Sequence, residues 1–328
     1  MAIIKVVETN ILWDFLSVFL FIFLSLVLIQ ISHMHIFSSI FVQVGLISGT
    51  FVGSGLLIAN AYQLYFTDRI FIIVLSWSFF VKTVSFILDK RAASGTDKPE
   101  WVEMEKKKGM QSFYHKLMFF ISPVICYHKY VENYDQSLVI HFRYLFTKFL
   151  VSFLCLMVNN IVTVKFIEPA CSEDLSFIAL IFKLFPLTFY MNISLYYMVM
   201  DNILAALAEI TKIKNRVFYL DWWNAETIYE FQDKWCLLIT EFTDTYLSKI
   251  IYGRIRQCFH TGILLCLLLS VFGQSINLKS LGVFVFIEGF TFLLGGLKFI
   301  QNNYLVHILS LSFTPVTIAL QVKYSIFE

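Results

Sequence analysis

Long apolar runs, interrupted by two polar segments, set the pattern of this chain of 328 residues. A membrane-spanning helix needs about 20 mostly apolar residues, because in lipid it must satisfy its backbone hydrogen bonds internally. By that measure the sequence predicts eight spans, near residues 11–31, 36–59, 70–88, 144–164, 175–200, 259–276, 281–299 and 304–322. The first run is too long for a signal peptide and has no small-residue cleavage site after a basic head, so we expect it to remain as a span or signal anchor.

The two polar segments, residues 89–137 and 201–258, hold most of the lysines and arginines. Two predicted spans separate them, so both face the same side, and the positive-inside rule makes that side the cytosol. The acidic connection around Glu168 and Asp174 then lies on the opposite side, and counting back through three spans puts the N-terminus in the lumen. We expect one membrane domain over residues 1–328, with the polar segments as cytosolic loops or amphipathic helices.

Composition restricts the class of protein. With 58% hydrophobic and 15% charged residues, 36 Phe and a mean hydropathy of +0.74, the chain is too apolar for a water-soluble core. The predicted fold class is an all-α polytopic membrane protein with eight to nine transmembrane helices. A net charge of +2 gives no basic surface for a nucleic-acid partner. The six cysteines show neither zinc-ligand spacing nor a disulfide framework, and His33 and His35 lack further ligands, so no metal site is predicted.

Residues 218–224, with the sequence FYLDWWN, stand apart from these runs because they combine four aromatic side chains with Asp221 and Asn224. Trp and Tyr favour places where an apolar ring meets a wet polar end, so the segment predicts a folded loop or interfacial helix at the membrane boundary. We expect Asp221 and Asn224 to be buried beside the tryptophans. One interpretation is purely structural: the segment packs against the helix bundle and holds the cytosolic loop in place.

The segment also resembles the FYxDWWN signature of the sterol and diacylglycerol branch of the membrane-bound O-acyltransferases. The resemblance extends over residues 70–328 and is closest to the diacylglycerol O-acyltransferases. Further patches similar to that family are residues 81–86, 119–127, 206–209, 215–217 and 223–226, followed near the C-terminus by residues 303–304, 309–311 and Pro315.

The resemblance implies an enzyme of the endoplasmic reticulum membrane that moves an acyl group from acyl-CoA to the hydroxyl of a neutral lipid, diacylglycerol before sterol. Acyl-CoA is then a co-substrate and no other cofactor is expected. The implied partners are membrane lipids, acyl-CoA and, by analogy with the family, further copies of the same chain. The residues implied for substrate binding are Phe218, Tyr219, Asp221, Trp222, Trp223, Asn224, Trp235, Lys82 and Ser85.

At the catalytic positions the sequence departs from the family. The family places a His in a later span and an Asn after a Trp; here Gly273 falls at the His position, and Cys236 follows the retained Trp235. Gly has no side chain to accept the proton of an attacking alcohol, and the neighbouring Gln274 carries an amide that cannot act as a base. The His of the family's V-H pair is Thr240 and the Gln before the late Pro is Thr314, so the catalytic residues themselves stay unknown.

Several alternatives remain open at this point. Lys82 either extends to the interface or lies near the phosphates of acyl-CoA, with Ser85 on the same helix face. His260 and His307 are the remaining candidates for a base, although intramembrane polar groups often only join helices. The whole chain is either an acyltransferase or an inactive relative that binds lipid or acyl-CoA or pairs with an active enzyme. A channel or chemoreceptor fits the Phe-rich composition but leaves the signature unexplained.

Overall fold

A computed structural model of the chain describes residues 66–95, 99–110, 112–167, 169–170, 173 and 175–247, with four positions between 20 and 27. These residues form helices and turns, and the only β-pairing among them is an isolated bridge between Tyr134 and Ile213. The described part divides into two compact units. The first contains residues 66–139 and 210–215, and the second contains residues 140–209 and 216–247.

The first unit is built on one long helix, α1 (Phe66–Ala93), and three short ones, α2 (Glu100–Lys107), α3 (Phe113–Ile121) and α4 (Tyr127–Asn133). Aromatic rings fill the space between them. The Tyr127 ring lies 4.6 Å from that of Phe86 and 5.2 Å from that of Phe119, measured between centroids, and all three side chains are fully buried. Tilted and edge-on pairs at these distances add to the burial of apolar area, so this cluster is the core of the unit.

Polar side chains of α1 complete the ends of two short helices. The Lys82 ammonium donates to the carbonyls of Phe119 (3.1 Å), Phe120 (2.9 Å) and Ser122, at the C-terminal end of α3. One turn further along, the Ser85 hydroxyl accepts from the Tyr127 backbone N–H at 2.9 Å. Helix ends leave backbone groups without internal partners, and a cation suits the negative end of the helix dipole. Lys82 and Ser85 are therefore caps supplied by a different helix.

The polar contacts of α1 continue at its end. The Asp89 carboxylate accepts from the His128 backbone N–H at 2.8 Å and lies 3.0 Å from its ring Nδ1. Lys90 pairs with the buried Glu105 of α2 at 2.5 Å, and the Tyr127 hydroxyl donates to the same carboxylate at 2.7 Å. Each of α2, α3 and α4 is thus joined to α1 by at least one charged side chain.

The second unit contains α5 (Phe142–Val162), α6 (Phe177–Tyr197) and α7 (Leu204–Ile210), followed by α8 (Ile228–Trp235) and α9 (Leu237–Phe242). A π-helical turn, Thr163–Ile167, extends α5, and a second one, Met198–Ile203, joins α6 to α7. A small apolar core of Ile167, Ala170, Leu180 and Leu184 fixes the end of α5 against the start of α6.

Two helical runs among the described residues are long and apolar enough to cross a membrane, Phe142–Ile167 and Phe182–Ile210. The first contains the predicted span 144–164, and the second overlaps the predicted span 175–200 but begins at Phe182 and ends at Ile210. The predicted span 70–88 lies inside α1, which is not one of the two. The other five predicted spans fall wholly or almost wholly outside the described residues.

The polar segment 89–137, predicted as loop or amphipathic helix, contains all of α2, α3 and α4. The segment 201–258 begins inside the π-helical turn, and the chain stays helical through α7. In α7, Ala205, Ala206 and Ala208 are buried, and so is Glu209 in its last turn. Ala has the highest helix propensity, and its small side chain allows close packing.

Candidate functional site

The candidate site, which we call the signature cluster, consists of residues 218–224 and the helices that hold them in the second unit. The segment is fastened by its backbone to the junction of α8 and α9. The Leu220 N–H donates to the Lys234 carbonyl at 2.9 Å, and the Leu237 N–H donates to the Phe218 carbonyl at 2.9 Å. Phe218 is buried, so the first residue of the signature is part of the packing of this unit.

A short 3-10 turn, Trp222–Asn224, follows. The Asn224 N–H donates to the Asp221 carbonyl at 3.0 Å, and the Ala225 N–H donates to the Trp222 carbonyl at 3.1 Å. Ala225 is fully buried and lies against Phe231, so the small residue after WWN is required by packing. The turn makes Trp222 face this packing while Trp223 is half exposed.

The expected burial of Asp221 and Asn224 is wrong. The Asp221 side chain is 52% exposed and Asn224 is also exposed. The Asp221 carboxylate accepts from the Asn224 amide at 3.4 Å and lies 3.3 Å from the Lys234 ammonium. The hydrogen bond from Asn224 and the contact with Lys234 lower the pKa of Asp221. The Asp221 carboxylate is therefore satisfied by neighbouring polar side chains at the surface and not by burial beside the tryptophans.

Four aromatic rings form the interior of the signature cluster. Trp235 is at the centre, with ring centroids 3.8 Å from Tyr196, 4.8 Å from Trp222 and 5.0 Å from Phe231. The Tyr196 hydroxyl donates to the Trp235 backbone carbonyl at 2.8 Å. Trp235, predicted from the resemblance, therefore contacts the signature directly, whereas Tyr196 and Phe231 were not predicted, because nothing in their local sequence separates them from ordinary apolar packing.

Tyr219 joins the signature to the preceding helices. Its hydroxyl donates to the Asp201 carboxylate, with distances of 3.0 and 3.1 Å to the two oxygens. Burial, and to a smaller extent this hydrogen bond, raise the pKa of Tyr219. Its ring lies 5.6 Å from that of Tyr196 and 6.4 Å from that of Trp223. The Asp201 backbone carbonyl accepts from the Lys148 ammonium at 2.7 Å.

A buried carboxylate lies just before the signature. Glu209, at the end of α7, pairs with Arg216 at 2.5 Å and accepts from the backbone N–H of His141 at 2.7 Å. Its other contact is the His141 ring Nδ1, at 3.0 Å. Glu209 and Arg216 lie in two patches that matched the family, residues 206–209 and 215–217. Their pairing gives these patches a physical role, since it fixes where the chain enters the signature.

Cys236 has an extended backbone (φ −145°, ψ 95°) and separates α8 from α9. Burial raises the pKa of its thiol, and among the described cysteines it is free of any disulfide. Thr240 donates to the carbonyls of Asp233 at 3.1 Å and Cys236 at 3.2 Å, so it stabilises the same junction. A thiol that is kept protonated by burial is a poor general base at neutral pH.

Lys82 and Ser85 belong to the first unit, where both are buried and act as helix caps. Gly273, Gln274, His260 and His307 lie outside the described residues. Among the described residues no group of three or more His, Cys, Asp or Glu side chains is arranged to hold a metal ion.

No family model matches the sequence. The chain is 23% identical to sterol O-acyltransferase 1 of Saccharomyces uvarum over 192 residues, which cover 54% of this chain and 30% of that protein. It is 24% identical to diacylglycerol O-acyltransferase 1-1 of Oryza sativa over 127 residues, covering 36% and 23% of the two chains. It is 22% identical to sterol O-acyltransferase 2 of Homo sapiens over 201 residues, covering 58% and 37%.

The matched part of each of these relatives is therefore well under half of its length. Both acceptor classes named in the resemblance, sterol and diacylglycerol, occur among them. The chain is related in sequence to the sterol and diacylglycerol O-acyltransferases.

Proposed function

We propose that this protein is an acyl-CoA-dependent O-acyltransferase that esterifies a neutral lipid, diacylglycerol before sterol, as a multi-pass protein of the endoplasmic reticulum membrane. The observation that carries the proposal is the signature cluster, in which Trp222 of a complete FYLDWWN segment packs against Trp235 in a chain whose relatives are named for this chemistry.

In such a reaction the acceptor hydroxyl loses its proton to a base as its oxygen attacks the thioester carbonyl. The new C–O bond forms, the C–S bond breaks, and the CoA thiolate leaves and takes up a proton. An exposed ring such as Trp223 offers apolar area to an acyl or pantetheine chain, and nearby cations suit the CoA phosphates. Arg216 and Lys234 are the cations next to the signature, and both are already paired with carboxylates of the protein.

The rest of the proposed binding set is Phe218, Tyr219, Asp221, Trp222, Asn224, Trp235, Lys82 and Ser85. Their roles differ in kind. Phe218 is buried, and Trp222 and Trp235 are partly buried against Phe231. Asp221, Trp223 and Asn224 are exposed, and Tyr219 is half-buried with its hydroxyl bonded to Asp201. Lys82 and Ser85 are already bonded to backbone groups, so we propose that they support substrate binding by holding α3 and α4 in place.

The rate is expected to be low. A positioned base contributes about 10²- to 10⁴-fold, and Gly273 stands where the family has its His. The test is transfer of radiolabelled oleate from oleoyl-CoA to diacylglycerol and, separately, to sterol by the purified protein in lipid nanodiscs, with a relative of known activity as reference. We expect transfer below the reference by that factor, and transfer to neither acceptor would contradict the enzyme proposal.

Restoring the missing groups sharpens this test. The double variant Gly273→His with Cys236→Asn should raise transfer, while either change alone should do little, because groups that act as a unit are strongly non-additive. Thermal stability is measured beside activity, since a large side chain at a Gly position can disturb helix packing. Wild-type transfer equal to that of the reference would contradict the proposed loss of rate at Gly273 and Cys236. His260 and His307 would then be the next residues to mutate as candidate bases.

A second candidate function is an inactive relative that binds acyl-CoA or lipid, or pairs with an active acyltransferase. The observations that favour it are Gly273 at the family's His position and Cys236 at its Asn position, where burial raises the pKa of the thiol. Binding of oleoyl-CoA without transfer, in both the wild type and the double variant, would support this candidate. Ligand-gated current in a planar bilayer would instead point to a channel.

A further inference from the structure

Asp201 is a charged residue in the last third of a predominantly apolar helical run, Phe182–Ile210. An ionisable group in such a run is costly unless it is paired, which makes its contacts informative. Both carboxylate oxygens lie within 3.1 Å of the Tyr219 hydroxyl, and the backbone carbonyl of the same residue accepts from Lys148. Asp201 is therefore bonded on two sides, to the signature and to α5.

The local backbone explains how Asp201 reaches Tyr219. It lies in the π-helical turn Met198–Ile203, where the wider turn changes the register of the side chains. The buried Asn202 stabilises this turn, because its side-chain amide donates to the Tyr197 carbonyl at 3.1 Å. A π-helical turn inside a long helix is frequent at functional sites.

The contact with Tyr219 reaches the surface of the signature cluster. The Tyr219 ring lies between the rings of Tyr196, at 5.6 Å, and Trp223, at 6.4 Å. Trp223 is 51% exposed and is the tryptophan of the signature that faces outward. A hydrogen bond that fixes the Tyr219 ring therefore also limits the positions open to the Trp223 ring.

We infer that Asp201 is a positioning residue for the candidate acyl-CoA site, acting through the Tyr219 hydroxyl on the Trp223 ring. This inference rests on the proposed function, since it presumes that the signature cluster binds acyl-CoA. Asp201 touches no reacting atom in this scheme. It orders the aromatic surface before the ligand arrives, which lowers the entropy lost on binding.

The test is a double-mutant cycle on oleoyl-CoA affinity, with Asp201→Asn, Tyr219→Phe and the double variant in nanodiscs. Ordering a side chain before the ligand binds, rather than during binding, corresponds to about a two- to tenfold change in affinity. We expect each single variant to weaken binding by about that factor and the double variant to weaken it no further, because both remove the same bond. Asp201→Glu, which keeps the carboxylate, should bind closer to the wild type than Asp201→Asn does.

Glu173→Gln is the matched control, since it removes an exposed carboxylate paired with Lys183 in the same unit and far from the signature in sequence. Thermal stability of every variant separates ordering of the site from loss of the fold, and the affinities are compared below the lowest unfolding temperature. Additive losses, or wild-type affinity in Asp201→Asn, would overturn the inference and leave the proposed function standing. A wild type that binds no oleoyl-CoA would overturn both.

Discussion

Replacing Lys82 by methionine tests whether this lysine is a helix cap or a ligand for acyl-CoA. Methionine keeps an unbranched apolar stem of similar length, so the change removes the ammonium group with little loss of packing. The ammonium donates to three carbonyls at the end of α3 from a side chain that is almost fully buried. Its removal leaves those carbonyls without this donor in the core of the first unit.

The expected loss follows from these contacts. Hydrogen bonds to a charged group contribute about 1.5–3 kcal/mol, and a cation at a helix C-terminus adds about 0.3–1 kcal/mol. Burying the ammonium has a cost that the variant no longer carries, so we expect a net loss of about 2 kcal/mol. For a protein domain of 150–250 residues that corresponds to a fall of roughly 4–8 °C in Tm.

The assay is thermal unfolding followed by maleimide dye, which reacts with cysteines as they become exposed. Cys126 is a buried cysteine at the start of α4, so a variant that retains only this cysteine reports on the first unit itself. Lys107→Met is the control, since Lys107 is an exposed lysine of the same unit. A Lys82→Met variant with unchanged Tm but weaker oleoyl-CoA binding would refute the capping role and support a direct contact with the ligand.

Three further predictions follow from the second unit and the topology. Trp235→Ala should lower the free energy of unfolding by about 3–5 kcal/mol, because it removes the ring at the centre of the signature cluster. Trp223→Ala should leave Tm nearly unchanged and weaken oleoyl-CoA binding, because this ring is half exposed. Thermal unfolding and equilibrium binding distinguish the two effects. Asp221→Ala should change stability by less than about 0.5 kcal/mol, as expected for an exposed position, and a larger loss of Tm would contradict the assigned surface location. Single cysteines placed in residues 89–137 and 201–258 should both be labelled from the cytosolic side of sealed microsomes, and labelling of either one from the lumen alone would refute the predicted topology.

Long-range contacts mark the limit of what the sequence predicted. The length of the apolar run was enough to locate α5, because the signal for such a helix is contained in its own consecutive residues. It could not identify α3 or α4, which have nine and seven residues and depend on caps from residues about 40 positions earlier. Helices this short are marginal without tertiary partners, so their own sequences carry little indication of them.

The same limit applies to the signature cluster. Sequence similarity identified residues 218–224 from the signature and Trp235 from the family's Trp-Asn pair. Asp201 was missed because its partner Tyr219 lies 18 positions away and a lone Asp in an apolar run does not reveal which group it bonds. The exposure of Asp221 was missed for a different reason. Its carboxylate is satisfied at the surface by the nearby Asn224 and Lys234 side chains, and the composition of the segment does not indicate which face of the turn is exposed to water.

The caps supplied by α1 have a consequence for the order in which the first unit is made. The ribosome synthesises α1 before α3 and α4, so Lys82 and Ser85 are already in place when the residues they cap leave the exit tunnel. The growing chain can therefore use α1 as a template, and each short helix gains its missing backbone partner as soon as it reaches that template. A fragment that starts after Ala93 lacks the template, and we expect its residues up to Val139 to stay unfolded until α1 is added as a separate peptide.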